Sequence, residues 1–136
     1  MFKLSIVTPE KVLFDGEVKT LSVPGSEGYL GVLSHHAPLI TALKPGKVEY
    51  RDMSDRNAVL AIGGGFMEVS GNKASILADE IEFADKIDIA ATEAEYNAQR
   101  DRVATYSAGD SSIDVKAARA AMERAANRIS IAKETR

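Results

Sequence analysis

No cysteine and no tryptophan occur among the 136 residues. The first absence excludes a disulfide framework, a zinc–thiolate site, an iron–sulfur cluster and a cysteine nucleophile. The second, with aromatics at only 6%, predicts an aliphatic core of Val, Ile and Leu. Histidine is nearly absent too. His35 and His36 are the only two, and neighbours in an extended chain point to opposite faces, so they make a poor zinc site. A loop contact with another subunit is the expectation for them. No apolar run approaches the roughly 20 residues that cross a bilayer. The N-terminus lacks a basic segment leading into a long apolar stretch, so no signal peptide is expected. An excess of positive charge is missing as well. The net charge is −3 and the pI about 5.4, which disfavours nucleic acid or anionic lipid as the main partner.

What is present divides the chain in two. All four prolines lie at or before Pro45, and nine of the ten glycines precede residue 72. Alanine does the reverse, with 7 in residues 1–86 and 13 in 87–136. Proline and glycine punctuate turns, and alanine is the strongest helix former. The expected division is a strand-rich domain over 1–86 and a helical domain over 87–136.

In the front half, Phe2, Leu4 and Ile6 alternate with Lys3 and Ser5, the period of a strand with one face buried. Val12–Phe14, Val18–Val23, Tyr29–Leu33, Leu39–Leu43, Val48–Arg51, Val59–Ile62, Phe66–Val69 and Ala74–Ala78 follow at short spacing. Asp15–Gly16, Pro24–Gly25 and Gly71–Asn72 read as turns between them. Eight or more short strands predict a β-sandwich or flattened barrel.

The back half predicts two helices, each opened by the same pair, Ile87–Asp88 and Ile113–Asp114. Asp is a strong N-cap because its carboxylate accepts an unpaired backbone N–H of the first turn. Ser107 to Ser112, with Gly109 free to take positive φ, forms the turn of an αα-hairpin. Val115, Ala118, Met122, Ala125, Ile129 and Ala132 recur at spacings of 3 and 4, a heptad-type seam. Ile87, Ala91, Ala94 and Ala98 are the expected partner face. A seam rich in alanine hides little apolar area, at about 0.8 kcal/mol per buried methyl. The hairpin is therefore expected to be helical by propensity but weakly docked, able to detach as a unit. Residues 87–106 carry a net charge of −2 and residues 113–136, with Arg136, a net of +3. The basic helix serves either as a solvated face or to meet an acidic protein surface.

No catalytic constellation is legible. Gly63–Gly64–Gly65 is not followed by the Lys-Ser/Thr of a phosphate loop and leads into a strand-like segment, so it predicts a bulge or a close backbone approach. Asp79, Glu80, Glu82 and Asp85 have no nucleophile or histidine beside them and read as a solvated linker.

Three blocks carry a family resemblance. The first is Val23-Pro-Gly-Ser-Glu-Gly-Tyr-Leu-Gly-Val-Leu-Ser-His-His-Ala-Pro-Leu-Ile-Thr-Ala-Leu-Lys-Pro-Gly46. The second is Gly63-Gly-Gly-Phe-Met-Glu-Val69, and Ala78–Asp79 follows before the helices. The third is Arg124-Ala-Ala-Asn-Arg-Ile-Ser-Ile131. Together they resemble the epsilon subunit of the rotary F-type ATP synthase over essentially the full length. The resemblance implies an α+β chain: a ten-stranded N-terminal β-sandwich followed by an antiparallel two-helix hairpin. It implies a non-catalytic subunit of the central stalk, without a cofactor, bound to the gamma subunit and to the c-subunit ring at the cytoplasmic face of a bacterial membrane. The sandwich would couple ring rotation to ATP synthesis. The hairpin would extend into the alpha/beta head and block hydrolysis, its roughly 45 helical residues spanning about 65–70 Å at 1.5 Å each.

By the same analogy Glu27, Gly28, Tyr29 and His36 lie at the contact with the c ring and gamma, with Tyr29 standing where some relatives have an acid. Arg119, Arg124 and Arg128 are candidates for an acidic segment of the beta subunits. Some relatives hold ATP in the folded hairpin through an Ile/Leu-Asp-x-x-Arg-Ala motif. Here Ile87 and Asp88 match, but Ala91 and Thr92 stand where Arg and Ala are needed, while Glu82 and Arg128 match other positions used there. Losing a charge-assisted phosphate contact predicts weak or no ATP binding. The alternative is a stand-alone nucleotide-sensing module of the same architecture.

Overall fold

The computed structural model describes residues 1–135. It separates into two compact units, Met1–Phe83 and Ala84–Arg136.

The first unit holds seven strands: β1 (Phe2–Val7), β2 (Val12–Gly25), β3 (Gly28–Val32), β4 (Leu39–Asp52), β5 (Asn57–Ser70), β6 (Lys73–Leu77) and β7 (Ile81–Phe83). They run in the order β1-β6-β5-β4-β2-β3, with β7 on β5 and a further β1–β2 pairing that closes the ring. All pairs are antiparallel except β1–β6. Seven strands replace the expected ten because β2, β4 and β5, of fourteen residues each, continue through the segments that read as breaks. Each is shared between two groups of partners. The N-terminal part of β2 pairs with β1, and its C-terminal part with β3 and β4. The last residues of β5 pair with β6, and Leu60–Ile62 with β7. Counting each bent strand as two segments gives two layers of five, the sandwich. One layer runs β4–β5–β6–β1–β2 and the other β3–β2–β4–β5–β7.

The breakers are corners rather than ends. Lys44 and Gly64 drop out of the β4–β5 register between Leu43↔Gly65 and Pro45↔Gly63. Gly64 and Gly65 take φ of 116° and 157°, outside the usual range of residues with a side chain. Asp15–Gly16 is not a turn. It pairs with Ser5 and Leu4 inside the ladder, and the missing Cβ of Gly16 leaves room for the Phe14 ring, whose Cζ would lie 3.1 Å from it. The β1–β2 turn instead falls at Pro9–Glu10, where the Thr8 hydroxyl accepts the backbone N–H groups of Glu10 and Lys11. The acidic junction is partly strand: Ile81–Phe83 pairs with Leu60–Ile62, and Gly63 N–H donates to the Glu80 carbonyl at 2.8 Å. Gly71 and Asn72 both take φ of 58°, the mirror-type turn that suits a two-residue hairpin. Leu4, Ile6, Val18, Val23, Val48, Leu60, Ile62, Met67 and Ile76 fill the core, aliphatic as composition predicts.

The second unit comprises a short 3-10 turn (Ala84–Lys86), α1 (Ile89–Ser107) and α2 (Val115–Glu134). Asp88 and Asp114 cap them, accepting the N–H of Ala91 and of Ala117 at 3.0 Å each. Gly109 takes φ of 111° in the connecting turn. Along α2, Ala118, Ala125 and Ala132 are buried, and Val115, Met122 and Ile129 half-buried. The expected face on α1 is wrong. Ala91, Ala94 and Ala98 are exposed; the shielded stripe is Thr92, Tyr96, Gln99 and Val103. Ala90, Ala91, Ala94, Ala98 and Ala104 gather on one side of α1, and that side is exposed; a methyl stripe suits the helix by propensity and does not mark its inner face. The larger side chains of that shielded stripe, Tyr96 and Val103, are half-buried.

Candidate functional site

The strand unit presents one outward row that breaks the usual polar exterior. Cross-strand register places Ala42 beside Phe66, Phe66 beside Leu77, Leu77 beside Val7 and Val7 beside Val12. Five successive strands thus contribute an apolar side chain at one level of one layer. Phe66 is 60% exposed, Leu77 53% and Val12 62%. Their sequence neighbours Met67, Ile76 and Ile6 point inward and are fully buried. Strand spacing of about 4.8 Å makes the stripe roughly 19 Å long. Ile40, 74% exposed, extends it at the β4 end. None of these residues is singled out by sequence reasoning. Each belongs to an ordinary apolar run, and only the register shows that their outward positions align.

The expected ring and gamma contacts occupy two loops, of which the one with Glu27 lies beside the stripe and the one with His36 at the Met1–Asn72 end of the layer. Gly25 pairs with both Gly28 and Leu43. The two-residue turn Ser26–Glu27 therefore projects beside Ala42, at the end of the stripe. Gly28 takes φ of 127° there with open space around it. Tyr29 keeps an exposed ring, but its hydroxyl accepts the Lys47 backbone N–H at 3.0 Å. A side chain at Gly46 would collide with that hydroxyl and with Pro24. Tyr29 thus clips the β2–β3 turn to β4, a role distinct from the acid it replaces in the resemblance.

His36 is half-buried, and its Nδ1–H donates to the Ala37 carbonyl at 2.7 Å. The loop that carries it is anchored by Asn72. The Asn72 Oδ1 accepts the His35 N–H at 2.8 Å, and its Nδ2 donates to the Met1 carbonyl at 3.0 Å. Its own carbonyl accepts the Lys3 N–H at 3.1 Å. Asn72 was legible as a turn residue but not as this three-way clamp.

In the helical unit, Arg128 Nη1 lies 3.3 Å from Glu95 Oε2, and Lys133 Nζ 3.3 Å from Glu93 Oε1. The acidic helix and the basic helix are joined by these bridges, so Arg128 is engaged in the closed hairpin. Arg119 is exposed and Arg124 half-buried; Arg136 lies outside the described residues. Of the degenerate nucleotide motif, Ile87 and Thr92 are buried, Ala91 is exposed, and the Asp88 carboxylate is committed to the N-cap. The Thr92 hydroxyl donates to the Asp88 carbonyl at 2.7 Å. Glu82 is half-buried in β7 of the other unit. In the interhelical turn, the Ser112 hydroxyl and backbone N–H hold the Asp110 carboxyl below its ordinary pKa. Among the described residues no group of three His, Asp or Glu side chains could hold a metal ion. Among the described residues no helix is long and apolar enough to cross a membrane.

Comparison with known proteins accounts for this combination. Residues 1–84 match the family model for the ATP synthase delta/epsilon chain, β-sandwich domain. The ATP synthase epsilon chain of Desulforamulus reducens is 41% identical over 130 residues, covering 96% of each chain. That of Lacticaseibacillus casei is 36% identical over 133 residues, covering 96% of this chain and 93% of the relative. A chain in the cryo-EM structure of the Euglena gracilis mitochondrial ATP synthase shares the fold, with a TM-score of 0.76 at 21% identity over 91% of this chain and 76% of that one. A sandwich followed along the chain by a helical hairpin, and sequence identity that runs through both, make this chain a member of the ATP synthase epsilon-chain family.

Proposed function

We propose that this chain is a non-catalytic subunit of the central stalk of an F-type ATP synthase. Its sandwich binds the gamma subunit and the c ring and couples ring rotation to ATP synthesis. Its helices restrain ATP hydrolysis by opening and entering the alpha/beta head. The reading rests chiefly on the apolar stripe from Ala42 to Val12. A row of exposed apolar side chains across a whole layer marks a surface that another protein covers. The stripe ends beside the Ser26–Glu27 turn, which makes that turn an edge of the same contact, whereas the loop carrying His36 is tied to Met1 and Asn72 at the other end of β1 and β6. Held in this way, the chain sits peripherally on the cytoplasmic face of a bacterial membrane.

The alanine-rich hairpin seam supports the movable arm, because it holds the helices together with little buried area. Arg119, Arg124 and Arg128 then become available to an acidic surface of the head once the helices separate. The deciding experiment measures ATP hydrolysis by a head lacking this subunit, with the full chain or residues 1–86 added back. The full chain inhibits and the shorter chain binds without inhibiting. Equal hydrolysis with both, alongside binding, removes the inhibitory role and leaves the coupling one.

Nucleotide binding by the hairpin is weak or absent on this reading, because Ala91 offers a methyl group where a guanidinium would meet phosphate. Each such charge-assisted bond is worth roughly 1.5–3 kcal/mol. Calorimetry of the full chain with ATP should show no binding in the micromolar range, and a micromolar dissociation constant overturns this.

A further inference from the structure

The row next to the apolar stripe carries charge of one sign. Register aligns Ile40 with Glu68, Glu68 with Ser75, Ser75 with Ser5, and Ser5 with Asp15. Glu68 and Asp15 are exposed, and neither forms an ion pair among the described residues. Lys73 and Lys3 come one row further out, and they too are unpaired. Glu68 is the telling position. On its own strand it stands two residues from Phe66, and across the ladder it faces Ile40, the most exposed large apolar side chain of the unit. A partner that covers Phe66 and Ile40 must also cover Glu68. A carboxylate buried without a counter-charge is strongly unfavourable, and neither Lys73 nor Lys3 pairs with Glu68 here, which leaves the covering surface to supply one.

We propose that Glu68 is a specificity-determining residue, met in the complex by a basic side chain of the partner protein that sits flush with the partner's own apolar ridge. The apolar stripe provides area, and Glu68 selects which apolar surface is accepted. A lipid surface fits poorly, since Glu68 and Asp15 would face anionic headgroups. This inference rests on the reading of the stripe as a docking surface, and the controls separate the two.

The test uses the full chain and an ATP synthase complex stripped of this subunit, with association followed at low and high ionic strength. Glu68→Lys should weaken binding by about a hundredfold, and Glu68→Gln by about tenfold with a flatter salt dependence. Phe66→Asp and Leu77→Asp, both at exposed positions, should each abolish binding while the thermal melt is retained. If Glu68→Lys binds within twofold of the unaltered chain while Phe66→Asp does not bind, the charge inference is overturned and the stripe reading stands. If Phe66→Asp and Leu77→Asp both bind normally, the stripe reading falls and the inference with it. Binding of the unaltered chain to phosphatidylglycerol vesicles that Phe66→Asp abolishes would also overturn it.

Discussion

Gly65→Ala should cost the strand unit about 3 kcal/mol or more, the range in which core overpacking and backbone strain combine. A Cβ at this position would lie 2.3 Å from the Leu77 carbonyl oxygen and 3.1 Å from the Ala78 Cα. Both are backbone atoms, of the last residue of β6 and the one after it, so no side-chain rotation relieves the contact. The φ of 157° adds a conformational cost that glycine alone escapes. For a unit of this size, each kcal/mol shifts the melting temperature by about 4–8 °C. Circular dichroism should therefore show Tm falling by at least about 12 °C. Gly71→Ala is the control. Its φ is 58° but nothing lies within 4 Å of its Cβ, so only the left-handed backbone cost of roughly 1–2 kcal/mol applies. Tm loss of less than about 3 °C in Gly65→Ala would show that β5 can shift away from β6 there. The corner also serves the surface, since Gly65 precedes Phe66 in the stretch of β5 that turns that ring outward.

This corner shows what sequence could and could not reveal. Gly63–Gly64–Gly65 was legible as a close backbone approach and is one. That the strand continues through it was not legible, because the Leu77 carbonyl it approaches is distant in sequence. The same reason made Asp15–Gly16 look like a turn: local propensity favours one, and the ladder with Ser5 and Leu4 overrides it. The caps Asp88 and Asp114 were legible because capping is local. The α2 seam was legible because Val115, Met122 and Ile129 mark its phase among the alanines. On α1 only Tyr96 and Val103, seven apart, carry the phase, and the alanines at 90, 91, 94, 98 and 104 form a competing stripe on the opposite, exposed face. The stripe needed the most information, since five strands from residue 7 to residue 77 must be placed in register before it exists.

Ala125→Leu should open the hairpin without melting the strands. Ala125 is 1% exposed at the middle of the α2 seam, between turns that carry the bridge from Arg128 to Glu95 and the buried Ala118. Three more carbons at so shielded a position crowd the facing helix, and overpacking of this kind costs about 1–3 kcal/mol. In a large core that is a modest loss. Here the opposing term is small, because α1 buries only Thr92 and the bridges from Glu95 to Arg128 and from Glu93 to Lys133 are partly or fully exposed pairs of at most about 1 kcal/mol each. The closed-to-open ratio should fall by roughly 5- to 150-fold, with amide exchange in α1 rising by that factor. Melting of residues 1–83 should be unchanged, since the substitution lies in the other unit. Glu95→Gln, which removes one bridge and leaves the seam, should change exchange by no more than about fivefold. Unchanged protection of α1 in Ala125→Leu would mean that the seam is not what keeps the hairpin closed. If the arm is inhibitory when open, the same substitution should deepen inhibition of ATP hydrolysis in the reconstituted head. It does so by shifting a pre-existing equilibrium rather than by adding a contact.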